Sequence, residues 1–568
     1  MTERVRKESA EPSSAAGHGA ARVAAGIFSS RLAGLVREAT LAYFLGAGPH
    51  ADVFRTALRG PNLLQNLLGQ QTLSASFIPV YSRLLEDGRE EEAGRFAGAI
   101  FGLLLAVAAT MALVGVLLAR PIVALLATGY LADAAQVAGG AASVDRFPLA
   151  VRAVRIIFPM TGILVLSAWC LGVLNSHRRF FLSYFAPVLW NGAIIAALGY
   201  AGSRAAGLGA LPAGLSRLDW MTLAACFGAL VGGGLQFAVQ LPLVVRLMRG
   251  FRLRISTRVE GVAEALRAFA PLAAGRGVVQ LSSYLDLLLA SFLAAGAVSA
   301  LGFALPLYLL PVSLFGMSVA AAELPELARR QAESRSEMAA RLDAAFRQMA
   351  YLTVPTVVGY LALGFLLVGG LYRRGSFGLE DNWLVYAVLG GYTLGLLASN
   401  TSRLLQNVFY AAGRTRVPAR IAVERVLLSA ALGILLMLGL DRFSVARVVG
   451  LPVSESGLRF GAAGLALSAG LAAWYELRRL RSVLAADLPG LRLPVGFTRR
   501  LLFASVVSLA PALLVWWLLA GRPVLPQALA VVAVYAVTYF GLTHRMGLSQ
   551  AKRWLGRLVG LFSSTGRR

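Results

Sequence analysis

Long apolar runs alternate with short polar, proline-containing or glycine-containing breaks along almost the whole chain. A helix needs about 17 to 25 mostly apolar residues to cross the hydrocarbon core of a bilayer, and the runs have that length. By this criterion the pattern predicts about fourteen transmembrane helices. They cover residues 22–46, 53–82, 96–118, 152–174, 181–200, 220–245, 262–294, 298–325, 346–371, 383–412, 418–440, 460–477, 501–520 and 527–543.

The composition supports this pattern and narrows the fold class. Of the 568 residues, 57% are hydrophobic and only 14% are charged, and the mean hydropathy is +0.68. A soluble domain cannot bury that much apolar surface, whereas a bilayer absorbs it. We therefore predict an all-α polytopic membrane protein.

Positive charge lies mainly in the short loops between apolar runs. The net charge is +26, and Lys7 and Lys552 are the only lysines. Loop arginines mark the cytoplasmic side of a membrane protein, so we expect no nucleic-acid partner. With the N-terminus inside, roughly 32 Lys and Arg residues fall in inside segments against about 10 outside. Both termini are therefore predicted to be cytoplasmic.

A weak internal repeat divides the predicted helices into two halves. LAYFLGAG from Leu41 is similar to LASFLAAG from Leu289, and the segment from Phe77 is similar to that from Glu323. The offset is roughly 247 residues, and such symmetry is typical of transporters. Because each half holds six helices, the repeats are predicted to be parallel and to surround a central cavity, with two further helices at the C-terminus.

These features predict seven consecutive segments. They are a disordered cytoplasmic tail at 1–21, an N-terminal six-helix lobe at 22–245, a basic cytoplasmic interlobe linker at 246–261, a C-terminal six-helix lobe at 262–480, a basic cytoplasmic linker at 481–500, two extra transmembrane helices at 501–543, and a basic cytoplasmic tail at 544–568.

The second predicted span carries a polar stripe. Its polar residues recur at steps of three and four, which places them on one face of a helix. Lipid does not tolerate charge on such a face, so the stripe must meet a polar cavity or a protein partner. Pro61 and Gly69 weaken the helix, so we expect it to bend near mid-depth. The stripe consists of Asp52, Arg55, Arg59, Asn62, Asn66 and Gln70.

The first span adds charge at the same level of the chain. Arg31 and Glu38 are seven residues apart and share a face, and Arg37 is adjacent. The excess of positive charge favours an anionic ligand, because the planar fork of arginine binds phosphate or carboxylate oxygens in pairs. The alternative is that Arg37, Glu38, Asp52 and Arg55 form interhelical salt bridges that only hold the helices together.

Other intramembrane charges leave similar alternatives open. Asp286 is either a site for a monovalent cation or proton, or a carboxylate paired with Arg276, and Arg276 is a candidate cavity residue. Glu424 with Arg425, and Arg403, either line the cavity in the second half or pair within the bundle.

Catalytic motifs are absent from the sequence. The four histidines are predicted to lie in tails or loops, Cys170 and Cys226 lie within apolar runs, and neither HExxH nor GxSxG occurs. We therefore predict a protein that is not an enzyme, with no cofactor and no metal site, and with monovalent cation coupling left open.

Four segments, in order, resemble the MurJ (MviN) family of lipid II flippases, which belongs to the multidrug/oligosaccharidyl-lipid/polysaccharide exporter superfamily. They are SRLAGLVREATLAYFLGAGPHADVFRTALRGPNLLQNLLGQQTLSASFIPV from Ser30, FPMTGILVLSAWCLGVLNSHRRFFLSYFAPVLWN from Phe158, LASFLAAGAVSALGFALPLYLLPVSLFGMSVAAAELPELAR from Leu289 and QNVFYAAGRTRVPARIAV from Gln406.

The resemblance implies a flippase that moves a polyprenyl-pyrophosphate-linked peptidoglycan precursor across the bacterial plasma membrane by alternating access. It matches Arg31, Arg37 and Asp52 to the arginines and acid of the family's cavity, where Asp52 would pair with and orient the arginines. Arg59 matches a basic position before PNLL, and Asp286 a cation position in some members. The implied partners are the lipid-linked anionic precursor and membrane lipids, with cell-wall synthesis machinery as a further candidate. A monomer is expected.

The sequence departs from the family pattern at three places. Gln65 replaces an arginine, residues 69–72 read GQQT instead of AEGA, and Leu305-Pro306 replaces an Asp-Arg pair. Arg55 and Arg276 would restore positive charge. Three alternatives therefore stay open: a flippase for another lipid-linked envelope oligosaccharide, an ion-coupled small-molecule antiporter, and a non-transporting scaffold for envelope assembly.

Overall fold

The computed structural model describes residues 12–140, 143–206, 215–313, 335–452, 457–487 and 494–552. Within these ranges the chain is almost entirely helical, and the β-structure described there is an isolated bridge between Ser444 and Arg459. The helices are α1 (Pro12–Leu45), α2 (Pro49–Leu68), α3 (Gln70–Glu86), α4 (Glu90–Leu117), α5 (Ala119–Leu126), α6 (Asp133–Ala138), α7 (Arg146–Ser176), α8 (Phe180–Phe185), α9 (Pro187–Ala206), α10 (Arg217–Leu247), α11 (Val262–Ser291), α12 (Ala297–Pro311), α13 (Arg335–Tyr372), α14 (Leu379–Leu394), α15 (Leu396–Ala411), α16 (Arg416–Leu440), α17 (Val445–Val449), α18 (Gly461–Asp487), α19 (Val495–Leu518) and α20 (Val524–Arg545).

The all-α polytopic class is confirmed. Each predicted span coincides with one helix or two consecutive helices, apart from the end of 298–325, which lies outside the described residues. Among the described residues, eight helices are long and apolar enough to cross a membrane, or up to nine if one bent pair counts as a single span. That bent pair, Ala119–Leu126 with Thr128–Ala138, was not predicted as a span.

Three predicted spans are each broken into two helices. The span at 53–82 contains α2 and α3, the span at 181–200 contains α8 and α9, and the span at 383–412 contains α14 and α15. Only the first of these breaks was expected. The second lies at Ala186, just before Pro187, and the third at Gly395.

The chain forms two compact units, Met1–Val298 and Ser299–Arg568. The core of the first unit is aromatic. Phe77 stacks between Tyr81 and Phe96, with ring centroids 5.1 and 5.3 Å apart, and these rings together with Trp169 are at most 1% exposed. The domain boundaries taken from the sequence stay a prediction.

An extended strap (residues 249–260) joins α10 to α11 in the first unit. It lies along three glycines of α4, where an added Cβ would meet strap carbonyl oxygens: 1.8 Å from Arg249 O at Gly94 and 2.2 Å from Arg252 O at Gly98. At Gly102 the distance to a strap carbonyl oxygen is 2.3 Å. The glycine face of α4 therefore lets the backbone of the strap pack directly against the helix. The spacing of the glycines is present in the sequence, but it did not predict which segment packs there.

In the second unit, α19 and α20 pack on α13. Pro355 lacks the N–H that would pair with the carbonyl of Tyr351, four residues earlier. Tyr539 of α20 donates its hydroxyl to that carbonyl at 2.6 Å, and Tyr535 donates to the carbonyl of Pro355 at 2.9 Å. The last two helices thus complete the hydrogen bonding of a proline bend in their neighbour.

Candidate functional site

The centre of the site is a carboxylate shared by two arginines from α1 and α2. Arg37 donates to Glu38 Oε1 at 2.5 Å and Arg55 donates to Glu38 Oε2 at 2.6 Å. The Glu38 side chain is 5% exposed, while those of Arg37 and Arg55 are 17% and 13% exposed. Both ion pairs are therefore present, and the one between Arg55 and Glu38 joins α2 to α1. The substrate role of the arginines stays a prediction. Arg37 nevertheless has N–H groups beyond the one that binds Glu38, because a guanidinium carries five.

Arg37 is held from a second side by Trp190 of α9. Its guanidinium carbon lies 4.8 Å from the Trp190 ring centroid, a cation–π contact. The indole Nε1 donates to the carbonyl of Ala229 at 3.1 Å, which fixes the ring against α10. The buried Arg37 Nε has no hydrogen-bond partner within the described part of the chain. The contact with Trp190 could not be predicted from the sequence, because Trp190 lies 153 positions after Arg37 on another helix.

Arg59 lies one turn beyond Arg55 on the same face of α2. It is half-buried, and its guanidinium has no hydrogen-bond or ion-pair partner among the residues that the structure describes. Its carbonyl accepts a hydrogen bond from the Tyr284 hydroxyl at 2.6 Å, which ties this turn of α2 to α11. Arg59 is thus positioned through its backbone and leaves its charge available.

The polar stripe becomes more exposed along α2. Asp52 is fully buried, Asn62 is half-buried and Asn66 is exposed. The helix ends at Leu68, and α3 begins after Gly69, where an added Cβ would lie 2.2 Å from the carbonyl oxygen of Gln65. The helix is therefore interrupted at Gly69, where the backbone leaves the helical conformation.

The remaining predicted site residues are less informative. Arg31 is exposed on α1 and Asp286 is half-buried on α11, and each has an interaction within the protein. The side chains of Gln70 and Arg276 lie outside the described part of the structure, so the predicted pairing of Arg276 with Asp286 does as well. The substrate and cation roles of these residues stay predictions.

Asp52 has partners that the sequence did not reveal. Its Oδ2 accepts from the backbone N–H of Gly296 at 2.7 Å and from Arg146 Nη1 at 3.4 Å. Arg146 in turn binds Asp133 with Nε at 2.6 Å and lies 4.2 Å from the centroid of the Tyr130 ring. The structure therefore places Asp52 in a buried cluster with Arg146 and Asp133. Its role in orienting the cavity arginines stays a prediction.

His50 begins α2 beside this cluster and is buried, whereas the sequence placed it in a loop. Its Nε2 lies 3.1 Å from Asp219 Oδ1, at the start of α10. Burial lowers the pKa of His50 below its usual range, and the nearby carboxylates of Asp219 and Asp52 oppose that shift. The contact joins the start of α2 to the start of α10, and burial favours the neutral imidazole.

In the second unit, Glu424 and Arg425 pair within the bundle, whereas Arg403 is exposed and its predicted role stays untested. Arg425 donates to the buried Glu476 at 2.8 Å, and Gln406 donates to the other oxygen of that carboxylate at 2.8 Å. Glu424 accepts from the Tyr475 hydroxyl at 2.9 Å and from Arg479 at 3.3 Å. For Glu424 and Arg425 the pairing alternative is confirmed.

The arrangement in the first unit is suited to holding a multivalent anion. Arg37, Arg55 and Arg59 carry two more positive charges than Glu38 neutralises, and the first two are oriented by that carboxylate. Guanidinium groups with fixed orientation bind phosphate oxygens in pairs at low entropic cost. The first unit therefore offers a preorganised basic site on membrane-length helices.

Comparison with known proteins gives a consistent result at the level of sequence. The family model described as "Lipid II flippase MurJ" matches residues 41–540. A probable lipid II flippase MurJ from Rhizobium tropici is 33% identical over 411 residues, which are 72% of this chain and 73% of that protein. The lipid II flippase MurJ from Burkholderia cenocepacia is 28% identical over 538 residues, which are 92% of this chain and 96% of the relative.

Solved structures agree at the level of fold. Lipid II flippase MurJ in an inward closed conformation has a TM-score of 0.67 at 20% identity, covering 93% of this chain and 99% of its own. An inward-facing multidrug resistance MATE family transporter of the MOP superfamily has a TM-score of 0.56 at 14% identity, covering 80% of this chain and 96% of its own. Because the family model covers most of its length, this chain belongs to the MurJ family of lipid II flippases.

Proposed function

We propose that this protein translocates lipid II, a polyprenyl-pyrophosphate-linked peptidoglycan precursor, across the bacterial plasma membrane by alternating access. The observation that carries the proposal is the preorganised pair Arg37 and Arg55 on Glu38, with Arg59 one turn away and without a described partner. Family membership supplies the substrate class.

The arginines of the site would bind the pyrophosphate. Arg59 is half-buried and free of described partners, so it is the group best placed to form new charge-assisted hydrogen bonds with phosphate oxygens. Arg37 would add N–H groups that do not bind Glu38, and Arg55 would add positive charge. Glu38 keeps the two cations together in the absence of substrate, because it offsets their mutual repulsion. Asp52 acts as a positioning residue through its bonds to Gly296 and Arg146.

The chemistry of the site favours this proposal over the antiporter alternative. An ion-coupled antiporter for cationic drugs would need acidic and aromatic groups at the substrate site. Here the surplus charge is positive, Glu38 is bound by two arginines, and Trp190 faces Arg37. We also propose that both termini face the cytoplasm, since the loop arginines favour that orientation. Action as a monomer and contact with cell-wall synthesis machinery stay predictions.

Replacing Arg59 with alanine tests the assignment. A bacterial strain depleted of its own lipid II flippase should not grow when Arg59→Ala is the flippase supplied. The substitution removes the positive charge of Arg59 and leaves its backbone hydrogen bond with Tyr284 in place. In native mass spectrometry, lipid II should bind this variant about tenfold or more weakly, the scale of one charge-assisted hydrogen bond.

The matched control is Arg95→Ala, which removes a guanidinium from an exposed position on α4. It should support growth at normal membrane abundance, measured by immunoblotting. The wild-type protein should bind lipid II, and an excess of a polyprenyl lipid that lacks the pyrophosphate should not displace it. Full growth with Arg59→Ala at normal abundance would show that the basic site is not used for transport.

A further inference from the structure

The strap (residues 249–260) is fixed to the first unit through its backbone. Its carbonyl oxygens at Arg249, Arg252 and Arg254 lie on the bare glycine stripe of α4. Gly250 and Gly261 mark the two ends of the strap with positive φ values of 71° and 81°, which only glycine adopts without strain. A segment held by its backbone leaves its side chains free for another purpose.

Among the described residues, the ion pairs between the strap and the rest of the first unit lie at the two ends of the strap. Arg249 lies 3.1 Å from Glu90, and Glu260 accepts from Arg89 at 2.8 Å. The guanidinium groups between them are exposed and have no hydrogen-bond or ion-pair partner among the described residues. These three are Arg252, Arg254 and Arg258.

Two large apolar side chains alternate with these arginines. Leu253 is 55% exposed and Ile255 is 71% exposed. The strap therefore presents positive charge and aliphatic surface side by side. This combination suits the interfacial zone of a bilayer, where phosphate groups lie above acyl chains.

We propose that the strap is a binding site for the phosphate head group of an anionic phospholipid. Arg252, Arg254 and Arg258 bind the phosphate, and Leu253 and Ile255 insert among the upper acyl carbons. The glycine stripe of α4 contributes by holding the backbone of the strap in one extended conformation, so that binding does not have to order the backbone. This site is separate from the arginine cluster on α1 and α2.

The test uses the full-length protein with phosphatidylglycerol as the anionic probe and phosphatidylcholine as the zwitterionic one. Native mass spectrometry should show phosphatidylglycerol adducts on the wild type and at least about tenfold weaker binding to R252Q/R254Q/R258Q, since each arginine near an anionic surface contributes to binding. The R252K/R254K/R258K variant keeps the charge and should retain most of the binding.

The matched control is R478Q/R481Q/R500Q, which removes three exposed arginines from the second unit and changes the net charge equally. It should keep wild-type adducts. Unchanged phosphatidylglycerol binding in the strap variant, or an equal loss in the control, overturns the proposal. Should the glutamine variant fail to fold, G98I decides, because it displaces the strap while keeping all arginines and should still weaken binding. Lipid II is absent from the measurement, so its outcome is independent of the proposed transport function.

Discussion

Glu38 holds the positively charged side chains of Arg37 and Arg55 next to each other in a fixed orientation. Its two oxygens each accept from a different arginine, on α1 and on α2, so the carboxylate defines both the distance between the helices and the direction of the guanidiniums. Burial makes such a pairing expensive to break, since an unpaired buried charge costs several kcal/mol. Glu38 therefore contributes to stability and to the site at once.

A single hydroxyl is expected to have a measurable effect in the second unit. Tyr539→Phe should lower the thermal unfolding temperature in detergent, because the Tyr351 carbonyl loses its donor at a proline bend. An unsatisfied buried carbonyl costs about 1–3 kcal/mol. Tyr43→Phe, at an exposed tyrosine without a described hydrogen bond, is the control and should be neutral. Equal unfolding temperatures for the two variants would contradict this role of Tyr539.

The sequence predicted part of the site because helical spacing is local. Arg55 and Arg59 are four residues apart, so their common face follows from geometry alone. Trp190 and Arg146 could not be found in this way, since their contacts join helices that are far apart in the chain. Asp52 is an example. Its position on α2 follows from the sequence, whereas its contacts with Gly296 and Arg146 could not be predicted.

At the scale of the element, the break between α2 and α3 shows which of two signals ends a helix. The helix continues through Pro61, since a proline inside a helix can bend it without ending it. It ends at Gly69, where the backbone passes so close to the Gln65 carbonyl that no side chain fits. The sequence predicted a bend but could not choose between the two residues.

Gly69→Ala is expected to destabilise the protein by about 1–3 kcal/mol, the usual cost of forcing extra atoms into a packed position. Thermal unfolding in detergent measures the change. Gly192→Ala on α9 has no heavy atom within 4 Å of the added Cβ and should be neutral or slightly stabilising. A neutral Gly69→Ala would mean that the break tolerates a side chain and that its geometry is not required.

At the scale of the whole molecule, the apolar pattern predicted where the helices lie, because the length of a membrane span is set by the bilayer. It did not predict the bent pair after α4 or the strap against α4. Both depend on close backbone approach, at Gly129 in the first case and at the glycine stripe in the second. Such contacts leave no hydrophobic signal in the sequence.

Membrane topology is testable with single cysteines, since native Cys170 and Cys226 are buried and should stay silent. In intact cells a membrane-impermeant maleimide should label Gly139→Cys, in the loop after α6, which is predicted to lie outside. It should not label Asp87→Cys, at the end of α3, which is predicted to lie inside. Labelling with the reverse pattern would contradict the proposed cytoplasmic termini.

The contacts of α11 have a mechanical consequence. Its first turn follows Gly261, where an added Cβ would lie 2.7 Å from Val80. Its last residue, Ser291, accepts through Oγ from the backbone N–H of Gly129 at 3.0 Å, and Tyr284 binds α2 between these ends. A helix that is held near both ends and at one point between them cannot rotate as a rigid body about one end. While these contacts persist, α11 can move only by twisting or bending between them.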